Sequence, residues 1–382
     1  MDNCFDFINQ PLWLLVLGGF FAFSFLIYMV YNWCFFARFS FYRADKKKKS
    51  SNKFPPVSIV IAAKNEFLNI KENIQFLLNQ DYPEFEILIV DDNSQDDTWD
   101  LITSFRIDNP HLRAVRLKDS ISVSCGKKFP LSIGIKEAQY DYVLLTDADC
   151  RPASPLWIKK MISEYDENVQ IVLGYGKYYH RKSFLNLFIR FDTARIAMQY
   201  FSAAIARFPY MGVGRNLTYK KDLFLKGKGF TNHFNLPSGD DDLFVSEHAN
   251  STNTAICIDP DTFMFSKAKR TLKSWWNQKR RHLTSGNKYL FKHKLFLGLY
   301  QLNVLAFPVF ACILLVSNAF VFWVLLLVLI KYLTQWIIFS GVLKKLEERK
   351  LLLTSPLFET IITVFNTIVY ISNIINKPKK WK

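Results

Sequence analysis

Apolar residues are concentrated at the two ends of the 382-residue chain, whereas the middle alternates between apolar and polar stretches. Residues 12–36 carry no charge and exceed the ~20 residues that a helix needs to cross a bilayer. Residues 295–316 and 319–343 are separated only by Ser317 and Asn318, which predicts a helical hairpin over 295–343. The pattern predicts membrane helices at both ends, with a globular domain between them.

Charged residues around the first apolar segment indicate its orientation. Asp2 and Asp6 precede it without any Lys or Arg, which favours a retained anchor over a cleaved signal peptide. Basic residues follow it between 38 and 53, and the positive-inside rule places this side in the cytoplasm. This basic run suits both a solvated linker and contact with anionic membrane lipids. We therefore expect an integral protein of the plasma (inner) membrane with a cytoplasmic globular domain.

The last apolar segment, 357–375, contains Glu359 and precedes a basic tail. A spanning helix here would place that tail outside, against the charge rule, so a span and an interfacial or re-entrant helix both stay open. Lys331 interrupts the hairpin, and we expect its side chain to snorkel to a membrane interface. The predicted organisation is an anchor with a linker (1–53), a globular domain (54–290) and C-terminal membrane helices (291–382).

The middle of the chain alternates apolar runs of strand length with helical patterns. Helices are expected at about 67–79, from about 96 and at 127–139, and strands at 57–63, 85–90, 112–117 and 142–146. Apolar strands that alternate with helices imply βαβ units and a parallel sheet covered on both faces. The predicted fold class is α/β, with a ligand site beyond the carboxyl ends of the strands.

Acidic residues follow three of these four strands. Glu66 follows the first, Asp91 and Asp92 the second, and Asp147 and Asp149 the fourth. Carboxylates a few Å apart at one sheet edge repel each other by several kcal/mol unless a cation lies between them. Mg²⁺ or Mn²⁺ fits such oxygen ligands together with phosphate. A cap or a surface loop explains any one of these clusters, but poorly explains three at one edge.

The formal net charge of +16 favours anionic partners, namely phospholipid headgroups, a phosphorylated substrate or nucleic acid. The apolar segments make nucleic acid the remote choice, and we expect no nucleic-acid partner. The six cysteines are scattered without metal-ligand spacing, which is typical of free thiols in a reducing compartment.

The ordered motifs VSIVIAAKNE, ILIVDDNSQDDT, GKKFPLSIGIKEA and YVLLTDADC resemble the family 2 glycosyltransferases, whose nucleotide-sugar domain has the Rossmann-like GT-A fold. The resemblance runs through most of 55–290, and the flanking helices resemble the membrane-bound branch of polysaccharide synthases and lipid glycosyltransferases. It implies inverting, metal-dependent transfer of a hexose or N-acetylhexosamine from a UDP-sugar to a lipid or glycan acceptor at the cytoplasmic membrane face.

The resemblance also implies roles on the donor side. Lys127 matches a lysine that lies near the diphosphate. Asp147 and Asp149 match a D-x-D metal motif, with Asp147 toward ribose or sugar and Asp149 toward the metal. The residues implied to hold the uracil and ribose are Asp91, Asp92, Glu66, Ala62 and Ala63.

On the acceptor side, residues 210–230 are similar to a Gly-x-Gly-x-Asn stretch, in which Gly212 and Gly214 allow close approach of the backbone to a sugar. A plain turn before a helix is the alternative. Residues 236–248 are similar to a T-E-D-x-D-L element.

This second element implies Asp240 as the general base, followed by Asp242. Gly239 replaces the usual glutamate, and a shift of one residue would make Asp241 the base. Three consecutive aspartates also suit a helix N-terminus, because the helix dipole favours negative charge there.

Residues 274–287 resemble a Q-x-x-R-W motif, in which Gln278 and Arg281 match and His282 stands where Trp is usual. The motif implies that Arg281 approaches the diphosphate and that Gln278 belongs to the donor site. Because His282 replaces this Trp, acceptor recognition and processivity can differ from those that the motif implies.

The same segment also has the pattern of a basic, aromatic helix on the membrane surface, with Trp275 and Trp276 at the headgroups. Residues 184–205 have the pattern of another amphipathic or interfacial helix.

Two versions of the enzyme remain open. Few membrane segments and His282 favour a single transfer to a lipid, whereas the Q-x-x-R remnant favours a processive polysaccharide synthase with export. If the protein were a membrane scaffold with a degenerate transferase domain, some of the acidic motif residues should be missing. In this chain the acidic set is intact. A transporter needs more spans and more intramembrane charge than Lys331 and Glu359 supply.

Overall fold

The structure is a computed structural model that describes residues 10–43, 54–118 and 126–376. Asp2, Asp6, the lysines of the linker and the basic tail lie outside the described residues. Contacts divide the chain into two compact units. One consists of Met1–Tyr42 with Leu290–Ile368, and the other of Arg43–Tyr289 with Val369–Lys382.

The strands and helices are numbered in chain order. The strands are β1 (Val57–Ala63), β2 (Phe85–Asp91), β3 (Leu112–Arg116), β4 (Tyr142–Leu145), β5 (Arg151–Pro152), β6 (Ile171–Leu173), β7 (Gly176–Tyr178), β8 (Leu217–Lys220), β9 (Thr254–Ile256) and β10 (Met264–Ser266). The α-helices are α1 (Leu12–Val30), α2 (Ala37–Ser40), α3 (Phe67–Leu78), α4 (Thr98–Asp108), α5 (Lys128–Glu137), α6 (Trp157–Ile162), α7 (Phe184–Ile205), α8 (Lys221–Lys226), α9 (Asp242–His248), α10 (Leu272–His282), α11 (Phe291–Val316), α12 (Val321–Lys345) and α13 (Ser355–Ile375).

The second unit is built on a seven-stranded sheet in the order β3-β2-β1-β4-β8-β6-β9. The four strands that the sequence predicts form β1 to β4 and pair in parallel, which confirms the α/β fold class. Ala63 lies opposite Asp91, so the ends of β1 and β2 meet at one edge of the sheet. The candidate site residues that follow these strands are thereby brought to that edge.

The sheet is mixed rather than parallel throughout. Strand β8 runs antiparallel to both β4 and β6, while β6 and β9 pair in parallel. These later strands are only three or four residues long, so they give no extended apolar run in the sequence. A second, three-stranded sheet has the order β5-β10-β7.

Helix α7 corrects the expectation of an amphipathic or interfacial helix at 184–205. Fifteen of its 22 residues are buried, and they lie on all sides of the helix. Its buried Asp192 is neutralised within the unit, since it lies 2.7 Å from Lys279 and 3.6 Å from Arg195. Burying a charged side chain costs much less free energy when an opposite charge lies beside it. The helix can therefore lie in the protein core.

Helix α10 is confirmed as a helix, but its aromatic residues are not all at the surface. Trp275 is only 2% exposed and packs edge-to-face on Phe188 of α7, with ring centroids 5.4 Å apart. The expectation that Trp275 lies at lipid headgroups is therefore wrong, because this ring fills the space against α7. Reciprocal hydrogen bonds join Arg280 to Asn373, which lies in the last turns of α13.

Within the part of the chain that the structure describes, four helices are long and apolar enough to cross a membrane, namely Leu12–Ser40, Phe291–Val316, Val321–Lys345 and Ser355–Ile375. The predicted anchor and hairpin are thus present as helices. A short π-helical stretch, Tyr31–Phe36, lies within the first of them. Whether Ser355–Ile375 spans the membrane or lies along its surface stays a prediction.

Lys331 does not snorkel as expected. Its side chain is 3% exposed, and its Nζ lies 3.4 Å from Oε2 of the fully buried Glu359. The hydroxyl groups of Tyr28 and Tyr300 also donate to this carboxylate. The lysine stays buried because a carboxylate partner is present, and the resulting polar cluster joins α1, α11, α12 and α13.

Candidate active site

The D-x-D motif lies directly after β4. The carboxylates of Asp147 and Asp149 and the thiol of Cys150 lie within 4.8 Å of one another. Burial raises the pKa of the Asp149 carboxyl, and the negative charges of Asp147 and Glu66 raise it further. The carboxylate oxygens suit Mg²⁺ or Mn²⁺, whereas a thiol is a poor ligand for these ions. Asp147 and Asp149 therefore fit the expected divalent cation.

Lys127 connects this motif with the acidic segment that the sequence assigns to the acceptor side. Its Nζ lies 2.7 Å from Oδ1 of Asp147 and 3.0 Å from Oδ2 of Asp240. Burial by itself would raise the pKa of the Asp147 carboxyl, but Lys127, with Arg215 and Arg281, outweighs burial and lowers it. Residues 127, 147 and 240, which are far apart in the chain, thus form one charged centre.

Gly214 allows the chain to approach this centre closely. A Cβ atom at Gly214 would lie 3.2 Å from Lys127 Nζ and 3.3 Å from Asp240 Oδ2. Gly212 has a different environment from the one expected, because a Cβ there would touch the apolar side chains of Leu173, Leu217 and Val245. Gly214 therefore borders the site, while Gly212 serves packing in the core.

The three consecutive aspartates have different partners. Asp241 accepts hydrogen bonds from the backbone N–H groups of Gly214, at 2.6 Å, and of Asp242, at 2.8 Å. Burial, followed by the charges of Asp240 and Asp242, raises the pKa of the Asp241 carboxyl to about 7. Gly239 precedes them with a φ of +104°, a conformation that disfavours the glutamate of the family motif.

Asp242 holds two parts of the second unit together. Its Oδ2 accepts hydrogen bonds from Ser285 and, at 2.7 Å, from the Tyr289 hydroxyl. Asp242 begins α9, and its two partners follow α10, so this carboxylate connects the start of α9 to the segment after α10.

The residues that the resemblance assigns to the donor side lie at the ends of β1 and β2. Asp91 and Asp92 are both fully buried. Asp91 lies 3.5 Å from Nε of Arg116, and Asp92 lies 3.0 Å from Nζ of Lys64. These cations offset the cost of burying two adjacent carboxylates. Partly buried Ala62 and Glu66, and buried Ala63, lie at the same strand end.

Helix α10 contributes the two residues of the Q-x-x-R motif. Gln278 donates to the Tyr178 hydroxyl at 3.4 Å, and the charge of Arg281 contributes to the lowered pKa of Asp147. The positive charge of Arg281 therefore acts on the charged centre, whereas Gln278 contacts β7 at the edge of the smaller sheet.

Arg215 is a site residue that the motifs do not predict. Its guanidinium lies 4.4 Å from the centre of the Tyr178 ring and donates to Ser266 Oγ at 2.9 Å. Its charge contributes to the lowered pKa of the Asp147 carboxyl, and it opposes in part the raised pKa of the Asp149 carboxyl. The sequence signal is its place inside the Gly-x-Gly-x-Asn stretch, directly after Gly214.

The sheet, the D-x-D motif and the acidic loop formed by residues 236–241 define a nucleotide-sugar transferase of the GT-A class. The model of "Glycosyl transferase family group 2" matches residues 142–363, and that of "Glycosyl transferase family 2" matches residues 58–211. The chain belongs to the family 2 glycosyltransferases, which confirms the resemblance.

Two curated relatives and one solved structure are similar to this chain. A poly-beta-1,6-N-acetyl-D-glucosamine synthase of Staphylococcus epidermidis is 26% identical over 259 residues, 66% of this chain and 60% of that protein. The Escherichia coli UDP-Glc:alpha-D-GlcNAc-diphosphoundecaprenol beta-1,3-glucosyltransferase WfaP is 30% identical over 132 residues, 34% of this chain and 48% of that protein. The chain thus spans 60% or less of these relatives' lengths.

The solved structure is that of the mannosyltransferase PcManGT from Pyrobaculum calidifontis, in complex with GDP-Man and Mn2+. It covers 96% of this chain and 99% of its own, with a TM-score of 0.60 and 18% identity. This likeness supports the shared fold.

Proposed function

We propose that this protein transfers a sugar from a UDP-sugar to a hydroxyl group of a lipid or glycan acceptor, with inversion at the anomeric carbon. The observation that carries the proposal is the contact of Lys127 with both Asp147 and Asp240. One cation thereby joins the motif suited to a metal–diphosphate group and the carboxylate suited to an acceptor. A degenerate scaffold has no need of this arrangement.

The donor is proposed to be a uridine nucleotide. The name of the E. coli relative contains UDP-Glc, whereas the solved mannosyltransferase PcManGT is in complex with GDP-Man. Asp91 and Asp92 lie at the strand end where the family motif holds uracil and ribose, which supports UDP. GDP-mannose is the alternative donor to be tested.

Asp240 is proposed to take the proton from the acceptor hydroxyl, whose oxygen attacks the anomeric carbon. A positioned general base of this kind contributes ~10²–10⁴-fold to the rate. Lys127 and Arg281 stabilise the negative charge on the departing diphosphate. Asp147 and Asp149 would hold Mg²⁺ or Mn²⁺, which supplies further positive charge for the diphosphate when bound.

The acceptor is proposed to be delivered by the membrane, at the cytoplasmic face of the plasma (inner) membrane. Four helices of suitable length and the basic residues after the first of them support this location. The diphosphoundecaprenol in the name of the E. coli relative supports a lipid acceptor, and the staphylococcal synthase supports a glycan.

The test uses the full chain in lipid nanodiscs with UDP-glucose, UDP-N-acetylglucosamine or GDP-mannose, with Mg²⁺ or Mn²⁺, and with a lipid extract as acceptor. We expect sugar transfer with a UDP-sugar. Asp240→Asn should retain UDP binding and lose about 100-fold in turnover, because it lacks the base. Asp149→Asn should weaken metal-dependent UDP binding.

Two results would contradict the proposal. Equal loss of UDP affinity in both variants would refute this division of roles. A wild-type protein that transfers no sugar from any donor, and whose melting temperature does not rise with UDP and Mn²⁺, would support the scaffold.

A further inference from the structure

Residues 126–128 read Gly-Lys-Lys, and the two lysines point to different places. Lys127 contacts the carboxylates of the charged centre. Lys128 is only 1% exposed, and its Nζ donates to the backbone carbonyls of Leu236, at 2.7 Å, and Ser238, at 2.6 Å. The second lysine therefore binds the backbone of the acidic loop rather than the site itself.

The backbone before the lysines contacts the same loop. Gly126 has a φ of +63°, and a Cβ atom there would lie 2.8 Å from the carbonyl oxygen of Pro237. The segment 236–238 thus rests on the Gly126 backbone and on the buried Lys128 ammonium. A buried ammonium needs acceptors, and these carbonyls supply them, so that the loop and the lysine depend on each other.

Asp240 follows this segment after one residue. Its Oδ2 lies 3.0 Å from Lys127 Nζ, at the opposite side of the same Gly-Lys-Lys motif. Fixing the carbonyl of Ser238 therefore limits where the Asp240 backbone can lie. We propose that Lys128 is a positioning residue that holds the 236–238 segment so that Asp240 faces the acceptor hydroxyl.

This inference rests on the proposed function, in which Asp240 is the base. Both carbonyls that accept hydrogen bonds from Lys128 belong to the segment that precedes Asp240. The loss of Lys128 should therefore impair the attack by the acceptor while leaving donor binding intact.

The variant that tests the proposal is Lys128→Met, which keeps the apolar stem and removes both hydrogen bonds. We expect turnover to fall at least about tenfold, while the KM for the UDP-sugar and the UDP–Mn²⁺ affinity stay within about twofold. Lys127→Met should differ, because it removes the contact with Asp147 and should weaken UDP–Mn²⁺ binding. Lys136→Met, on the exposed side of α5, is the matched control and should change neither quantity.

A second variant separates positioning from a general loss of structure. Lys128→Arg offers several N–H donors to the same two carbonyls and should retain turnover within about fivefold of the wild type. A loss of turnover in Lys128→Arg as large as in Lys128→Met would overturn the proposal. A parallel loss of UDP–Mn²⁺ affinity and turnover in Lys128→Met would overturn it as well.

Hydrogen–deuterium exchange provides a readout that does not need activity. The peptide that covers 236–248 should exchange faster in Lys128→Met than in wild type and Lys136→Met. Unchanged exchange would overturn the proposal even if turnover fell. If the wild-type protein transfers no sugar but this peptide still exchanges faster in Lys128→Met, then the proposed function fails while the contact of Lys128 with the loop stands.

Discussion

At the scale of single residues, the three aspartates 240–242 show that the surroundings decide what a carboxylate can do. Asp240 faces the ammonium of Lys127, whereas both oxygens of Asp241 accept backbone N–H groups. Asp242 accepts the backbone N–H of Leu243 at Oδ1 and two side-chain hydroxyl groups at Oδ2. Because Asp241 is used to hold the backbone, the geometry favours Asp240 as the proposed base.

The folded protein should lose stability as the pH rises, and replacing Asp241 by Asn should make this loss smaller. The pKa of Asp241 is raised to about 7, so the folded protein retains a proton that the unfolded chain releases at lower pH. This contribution to stability is complete below the unfolded pKa of ~4 and is lost as pH rises through about 7. We expect the wild-type melting temperature to fall between about pH 5 and about pH 8, and to fall less in Asp241→Asn.

The measurement is thermal unfolding in detergent across this pH range. Asp222→Asn is the matched control, because this exposed aspartate ion-pairs only with Lys226 of its own short helix among the described contacts. Identical pH dependence in wild type and Asp241→Asn would refute the assignment.

At the scale of elements, one buried carboxylate joins the apolar helices of the first unit. Glu359 of α13 is contacted by Tyr28 of α1, Tyr300 of α11 and Lys331 of α12. Apolar side chains alone specify helix contacts weakly in a lipid environment, where polar contacts between helices add specificity. The cluster therefore fixes how these helices pair.

Replacing Glu359 by Leu should destabilise the first unit, because Lys331 would remain buried without its carboxylate. Removing one partner of a buried ion pair costs about 3–5 kcal/mol, whereas replacing both by apolar residues is often neutral. We therefore expect the double variant Lys331→Met/Glu359→Leu to be more stable than Glu359→Leu alone. Thermal unfolding in detergent checks this, and a double variant whose loss equals the sum of the single losses would show that the pair is not coupled.

At the scale of the whole molecule, the open question is how many sugars each acceptor receives. His282 stands where the family motif has Trp, and its smaller ring offers less surface for stacking a sugar. This departure favours one transfer per acceptor over polymer synthesis with export.

We accordingly expect mass spectrometry of the reaction products to show an acceptor extended by a single sugar, even with excess donor. Two samples with the same protein concentration are compared, one with limiting and one with saturating acceptor. A processive enzyme makes long products even when acceptor is abundant. A ladder or a long polymer under both conditions would establish the synthase alternative.

Short-range patterns in the sequence determine much of this protein. Apolar runs of strand length predict β1 to β4, uncharged stretches predict the long apolar helices, and ordered acidic motifs identify the family. These features are local, because strand formation, helix length and motif spacing each depend on residues close together in the chain.

The tertiary structure decides the rest, because the partners are far apart in sequence. Lys331 is buried because it forms an ion pair with Glu359. Trp275 is buried because its ring packs against Phe188. In the sequence, Lys128 is an ordinary lysine at the start of a helix. In the structure, carbonyls of a loop more than a hundred residues away accept its hydrogen bonds. The periodicity of the sequence indicates which faces of helices and strands are apolar. Only the folded chain shows which polar groups neutralise one another.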